Sequence, residues 1–247
     1  MIRSMYQAAA AMMAEFSRQL TISENLANVS TPGYKARRTT VQDFREMFLS
    51  RFAGGSATPI GSISTAVRPE ERAIDLSQGA LVETGRPLDL AIAGTAFFAV
   101  QTPDGVQYTR DGRFQLDADR RLVTGDGFPV LGLNGPITLP EGDIHVTADG
   151  TILVNGAPAG QLQLVEFPPD TPIEAVGQNR FAIEGAGQQS ETAGVSQGFV
   201  EQSNVDLAQS MVEMLEASRS YALAQRMLQV SDATLGTAVN EIGRVVS

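Results

Sequence analysis

The chain has 247 residues, a formal net charge of −10 and no cysteine. That length serves one large domain or two small ones, and 43% hydrophobic residues allow a core, while 24 glycines and 12 prolines favour turns and short strands over a wholly helical fold. The acidic balance argues against nucleic acid as a partner, since duplex binding needs a basic footprint, and the missing thiols exclude disulfides and thiolate metal sites.

The first apolar run, AAAAMMA, is preceded by one arginine and followed by EFSRQL. A secretory leader needs a basic start and a small-residue cleavage site, so the run is read as helix. No window reaches the ~18 apolar residues of a membrane span, and no membrane insertion is expected. Across 1–30, Ile2, Met5, Ala9, Met12, Phe16 and Leu20 recur at three- and four-residue steps, and Tyr6, Met13 and Ala27 widen the stripe. Thr31-Pro32-Gly33 breaks it: proline disfavours helix at Thr31, and glycine permits whatever backbone follows. The helix and its turn, 1–34, form the first part of an inner helical domain.

Residues 35–71 begin basic and amphipathic (KARRTTVQDFREMF) and become Gly/Ser/Thr-rich, which reads as a flexible connector. The cluster Lys35, Arg37, Arg38 reads as a solvated or subunit-contacting face. Residues 72–197 are β-rich. Asp-Gly or Asn-Gly stands at 104–105, 111–112, 126–127, 134–135, 149–150 and 155–156, each suited to a type I′ hairpin, between strand-like runs such as AFFAVQ, VQYTR and TILVNG.

Residues 198–247 hold the second part of the helical domain. Leu207, Met211, Met214, Ser218, Tyr221, Gln225, Leu228, Asp232, Leu235, Val239, Ile242 and Val246 follow a four-three spacing, a heptad seam with polar interruptions. Val212, Leu215 and Ala222 add a second apolar flank. Ser203 or Asn204 is the expected N-cap, with Asp206 near the positive helix end. The fold class is therefore mixed: terminal helices pairing as a coiled-coil-like inner domain, with an all-β domain inserted between them. Such helices carry more apolar surface than one subunit buries.

No catalytic motif appears. His145 is the single histidine and has no second ligand at metal spacing. Asp117, Asp119 and Asp126 lack the calcium-loop pattern, and no nucleophile elbow, phosphate loop or dinucleotide fingerprint occurs. Neither enzyme activity, metal nor cofactor is expected. An enzyme would instead need clustered polar groups with perturbed pKa values in the β domain.

The stretch Asn25-Leu26-Ala27-Asn28-Val29-Ser30-Thr31-Pro32-Gly33-Tyr34-Lys35 resembles the N-terminal signature of bacterial flagellar rod and hook proteins, Asn-x-x-Asn-x-x-Thr-x-Gly-aromatic-Lys. Gly198-Phe-Val-Glu201-Gln-Ser203-Asn204-Val205-Asp206, with Met211, Glu213, Met214, Arg219 and Tyr221, resembles the same family's C-terminal signature. The run from Pro87 to Gly132 is similar to the β core of its rod members. Glu24 stands where the family commonly has asparagine, and Val41 where it often has phenylalanine.

The resemblance implies a structural subunit of the flagellar basal-body rod, the axial shaft between motor and hook. Length near 250 and the stretch LGLNGPITLPEGDIHVTADGTILVNG point to the proximal rod member; a distal rod or hook-type protein, or a non-flagellar secreted fibre or tail protein, is the alternative. Implied partners are copies of itself, other rod proteins and the flagellar type III export apparatus, with no signal peptide needed. The rod crosses the periplasm, and the terminal helices would order only on neighbouring subunits. Met5, Met12, Phe16 and Leu20 would form the N-helix assembly face. Met211, Met214, Leu215, Tyr221, Leu228, Leu235 and Ile242 would form the C-helix face. Asn25 and Asn28 would bond local backbone where the helix ends, Pro32 and Gly33 would set the turn, and Tyr34 and Phe44 would anchor on the next subunit.

Overall fold

The computed structural model describes residues 2–43, 46–53, 56–64, 67–168, 171–177, 179–183, 185, 187–190 and 193–244, with the backbone alone at 2–3, 40–73 and 241–244. The chain divides into two compact units. One comprises 1–27, 37–73 and 206–247; the other comprises 28–36 and 74–205.

The first unit contains the two helices, α1 (Ile2–Ala27) and α2 (Leu207–Arg244), packed on each other. Asp206 caps α2: its Oδ1 accepts from the Gln209 amide at 3.0 Å and its carbonyl takes the first helical bond, from Ser210, at 2.9 Å. The cap is thus two residues later than Asn204, whose side chain is engaged elsewhere. Ser4 Oγ lies 3.4 Å from Ser231 Oγ, near the far end of α2, while Ser210 and Ala217 are buried near its start. The helices are therefore antiparallel. At 1.5 Å per residue, about three turns of α2 run past the start of α1.

The buried and half-buried positions of α2 include Ser210, Met214, Ala217, Tyr221, Ala224, Leu228, Ser231, Leu235 and Ala238, on four- and three-residue steps. The heptad period read from sequence is present, but one of its two rows is displaced by one residue. Met214, Tyr221, Leu228 and Leu235 are half-buried. Leu207 is exposed at the start of the helix; Met211, Ser218, Gln225, Asp232 and Val239 are exposed too, and the small residues at 210, 217, 224, 231 and 238 replace these five. Small side chains let the helix axes approach, and the large row fills the space between. Val246 lies outside the described residues, as does the side chain of Ile242.

The expected connector 35–71 also differs. It carries four strands: β1 (Arg37–Asp43), β2 (Glu46–Ala53), β3 (Ser56–Ser64) and β4 (Val67–Ile74). β2 and β3 form a hairpin nested inside the β1–β4 pair. Composition had suggested a flexible segment because Gly and Ser weaken strands individually. The ladder instead extends from Glu46–Ser64 to Ala53–Ser56 with a single register shift.

The second unit is all β apart from its first turn. A six-stranded antiparallel sheet runs in the order 173–177, 180–183, 105–109, 97–102, 164–166, 188–189. A three-stranded meander, 144–146, 151–154 and 157–161, packs against it. Phe98, Phe114, Leu122, Leu139, Ile152, Leu162 and Leu164 fill the core. Two further ladders bring the chain ends of this unit together: 194–197 pairs with 90–93, and 199–201 with 81–83.

The expected hairpin turns resolve into kinds. Asn155-Gly156 has φ of 53° and 82° and is the type I′ turn, closing Val154 onto Ala157. At 104–105, 126–127, 134–135 and 149–150 the glycine alone has positive φ. Asp111-Gly112 is no hairpin. A Cβ on Gly112 would meet the Leu90 carbonyl oxygen at 1.6 Å, so glycine serves close approach there.

Candidate functional site

The N-terminal signature divides between the two units. In the helical unit, Asn25 forms a two-point bond with one residue: its Nδ2 donates to the Arg37 carbonyl at 2.8 Å, and its Oδ1 accepts from the Arg37 amide at 2.9 Å. Glu24 pairs with the Arg37 guanidinium at 3.3 Å, which gives this departure from the family pattern a local role. Leu26, Met5 and Met12 are half-buried.

The turn itself belongs to the β unit. The Thr31 amide donates to the Asn28 carbonyl at 3.1 Å and its hydroxyl to Asn28 Oδ1 at 3.2 Å, closing one turn. The Pro32 carbonyl accepts from Asn179 Nδ2 at 2.8 Å. Gly33 has φ +70°, and a Cβ there would fall 2.4 Å from the Asp111 amide nitrogen. Two independent reasons, conformation and space, therefore require glycine. Its amide donates to the Glu201 carbonyl at 2.7 Å. Tyr34 is buried within its own subunit, which corrects its expected role as an anchor on the next one; Phe44 lies outside the described residues.

Lys35 is 2% exposed, so it is no part of a solvated basic face. Its ammonium donates to Glu201 Oε1 at 2.6 Å and to the Ser77 carbonyl at 2.8 Å. Glu201 is 1% exposed. Its Oε1 also accepts from the Gly79 amide at 2.8 Å, and its Oε2 accepts from Arg110 Nη1 at 3.1 Å. Arg110, 2% exposed, donates through Nη2 to the Gly94 carbonyl at 2.6 Å and lies 5.0 Å over the Phe97 ring. Both carboxylate oxygens are thus engaged. Burial pulls the Lys35 ammonium below the usual lysine range, opposed by its bond to Glu201. Burial likewise lowers Arg110, opposed first by the charge of Glu201.

Asn204 completes the arrangement. Its Oδ1 accepts from the Ala36 amide at 2.7 Å, and its Nδ2 donates to the carbonyls of Asp75 and Ser77 at 2.9 and 3.1 Å. Ser203 Oγ accepts from the Val205 amide at 3.3 Å. Gly198, at φ +79°, accepts at its carbonyl from the amides of Thr84 and Gly85. A Cβ on Gly79 would sit 2.0 Å from the Gln202 carbonyl oxygen.

The structure thus brings Gly33, Lys35, Glu201 and Asn204 together, and adds Arg110, Ser77 and Gly79, which sequence reasoning did not single out. The clue to Arg110 was a lone cation ending the strand run VQYTR, a pattern too common to stand out. The helix-face residues lie in the other unit: Phe16, Leu20, Met211 and Leu215 are exposed, while Met214, Tyr221, Leu228 and Leu235 face α1. Among the described residues no three His, Cys, Asp or Glu are placed to hold a metal, and no helix is long and apolar enough to cross a membrane. A buried carboxylate with both oxygens bonded by its own chain can clamp backbone segments.

Three family models match in chain order: "Flagella basal body rod protein" over 5–35, "Flagellar hook protein FlgE/F/G D1 domain" over 91–154, and "Flagellar basal body rod FlgEFG protein C-terminal" over 196–241. Each matched segment supplies one member of the ion triad: Lys35, Arg110 and Glu201 respectively. Among curated relatives, the flagellar basal-body rod protein FlgG of Buchnera aphidicola is 36% identical, over 95% of this chain and 98% of its own. The flagellar hook-basal body complex protein FlhO of Bacillus subtilis is 32% identical, over 99% and 100%. The flagellar basal-body rod protein FlgF of Rhizobium meliloti is 33% identical, over 97% of each chain. With matches of this identity and extent, the chain belongs to the flagellar basal-body rod protein family.

Proposed function

We propose that this chain is a structural subunit of the flagellar basal-body rod, assembling with copies of itself and with other rod proteins through α1 and α2. The role is mechanical, with no catalytic step. The carrying observation is apolar surface left outside the helix pair. Tyr6, Met13, Phe16 and Leu20 on α1, and Met211, Val212, Leu215, Leu223, Met227, Val230 and Val239 on α2, are all exposed; Met13 is 71% and Met227 67% exposed. The α2 residues lie at several angles around the outer half of the helix. Exposed apolar residues at several angles call for more than one neighbour, which suits coiled-coil-like packing in a helical, non-closing assembly. The absence of cysteine suits export of an unfolded chain by a flagellar type III route.

The proximal rod position is favoured by length. Alignments with relatives named FlgF span 247 and 248 residues, near the chain's own 247, against 257 to 265 for those named FlgG. The distal position is the second reading, because a FlgG relative reaches 36% identity.

The test is deletion of the gene followed by imaging of purified basal bodies. Rods that stop short and carry no hook are expected, and the position of the break separates proximal from distal. Normal flagella would overturn the rod role. Complementation with Leu215→Gln/Met227→Gln should leave the subunit soluble and present, and rods still truncated.

A further inference from the structure

We propose that Lys35 is a modification site governed by folding: an acyl donor reaches its amine in the unfolded chain, the folded β unit withholds it, and a chain acylated there is kept out of the folded pool. The proposal concerns the single chain and does not rest on the rod role.

Lys35 is the only lysine of the chain; the rest of its 18 lysines and arginines are arginines. A guanidinium stays protonated and has no lone pair to offer, whereas a lysine amine is a common acceptor of acyl groups. The unfolded chain therefore presents one side-chain amine, and folding decides whether it is presented. In the folded chain Lys35 is 2% exposed, and its Nζ donates to Glu201 Oε1 at 2.6 Å and to the Ser77 carbonyl at 2.8 Å. Burial pulls the ammonium below the usual lysine range, which by itself favours the reactive neutral amine. Access, not protonation, is what the fold denies.

With an acyl phosphate as donor the step balances. The neutral amine attacks the acyl carbon and a C–N bond forms. The bond from that carbon to the phosphate oxygen breaks, phosphate leaves with the electron pair, and the nitrogen gives a proton to water. The product is an uncharged amide, with one N–H where the ammonium had three and a new carbonyl that needs a donor. The donors nearby are committed: the Gly79 amide to Glu201 Oε1 at 2.8 Å, and the Ala36 amide to Asn204 Oδ1 at 2.7 Å. Glu201 would keep Arg110 but lose the other of its two bonded cations. An acyl group on so buried a side chain must also displace packed neighbours. Each of these effects opposes folding.

Acetyl phosphate is the probe. The full-length chain is treated folded and, separately, unfolded in guanidinium chloride, with each rate taken relative to Nα-acetyl-lysine in the same solvent. Mass spectrometry of the peptide carrying residue 35 should show acetylation at least tenfold slower in the folded chain; a smaller difference would overturn the proposal. Chain partly acetylated while unfolded is then returned to native buffer, and its folded and unfolded fractions are separated. Acetylated Lys35 should be depleted at least tenfold in the folded fraction, and equal occupancy would overturn the proposal, because the site would then accept the amide. Lys35→Met, treated identically, should refold to the same extent with and without acetyl phosphate. A loss equal to that of the original sequence would place the effect on another nucleophile and overturn the proposal. Should that variant not refold, the depletion measured within the single sample still decides.

Discussion

Glu201 and Leu215 stand close in sequence and opposite in environment. The Glu201 carboxylate is 1% exposed with both oxygens bonded, whereas the Leu215 side chain is 58% exposed with nothing over it. The first belongs to a region that pairs its buried carboxylate within one chain. The second belongs to a helix whose inner row is satisfied and whose outer rows are not. The difference teaches where a subunit ends as a folding unit and begins as a component. Polar groups must be paired before burial, because an unpaired buried charge costs several kcal/mol. Apolar surface can remain in water at a smaller cost per residue until a neighbour covers it.

The largest expected effect breaks the closed side of that contrast. Glu201→Gln removes the carboxylate that Lys35 and Arg110 share, leaving both buried without their directly bonded counter-charge, which should destabilise the β unit by about 3–5 kcal/mol in urea unfolding of the full chain. Adding Lys35→Met to that variant should recover part of the loss, since one of the stranded cations is gone.

Next is Gly33→Ala. It demands positive φ from an L-residue and drives a methyl group into the Asp111 backbone. A loss of about 2 kcal/mol is expected by the same measurement, above the few tenths that ordinary turn substitutions cost. A loss below about 0.5 kcal/mol would mean that the turn shifts to accommodate the methyl group.

Two substitutions on α2 sharpen the comparison within one helix. Ala217→Leu places a large side chain in the small row against α1 and should cost the helix pair about 1–3 kcal/mol. Leu215→Gln, on the outer surface, should change the subunit's own stability by less than about 0.5 kcal/mol while preventing rod assembly. If both behave alike in thermal unfolding, the assignment of inner and outer rows is wrong.

The smallest effect is a pH dependence. Asp117 is held below the usual carboxylate range chiefly by the Arg121 amide, and Asp149 chiefly by the Thr147 hydroxyl. The folded state therefore binds protons less readily than the unfolded one. Their contribution is present above the ordinary aspartate value, 3.8, and is lost as pH falls through the lowered folded values. Asp117→Asn should flatten that acid limb slightly, and the Arg121 part should weaken in high salt because the pair is exposed.

Sequence patterning determined the terminal helices, the inserted β region and the signature turn, because each follows from local rules: 3.6-residue periodicity, glycine and proline placement, and hairpin dipeptides. It also located both signatures. The row displacement in α2 was half visible. Ser218, Gln225 and Asp232 all fall in the row that proved exposed, and polar residues in three successive heptads of that row were the sign that it lay one residue back. The strands in 37–74 were hidden by a glycine- and serine-rich composition whose pairing depends on the partner strand.

Only the tertiary structure decided which charges meet. Lys35, Arg110 and Glu201 lie in three separate stretches of chain, and no local rule distinguishes a lysine beside two arginines on a solvated face from one buried against a distant glutamate. That distinction depends on the ladders that carry residues 33–36, 77–79, 110 and 201 to the same place. Desolvation then makes pairing the carboxylate with both cations the favourable arrangement there.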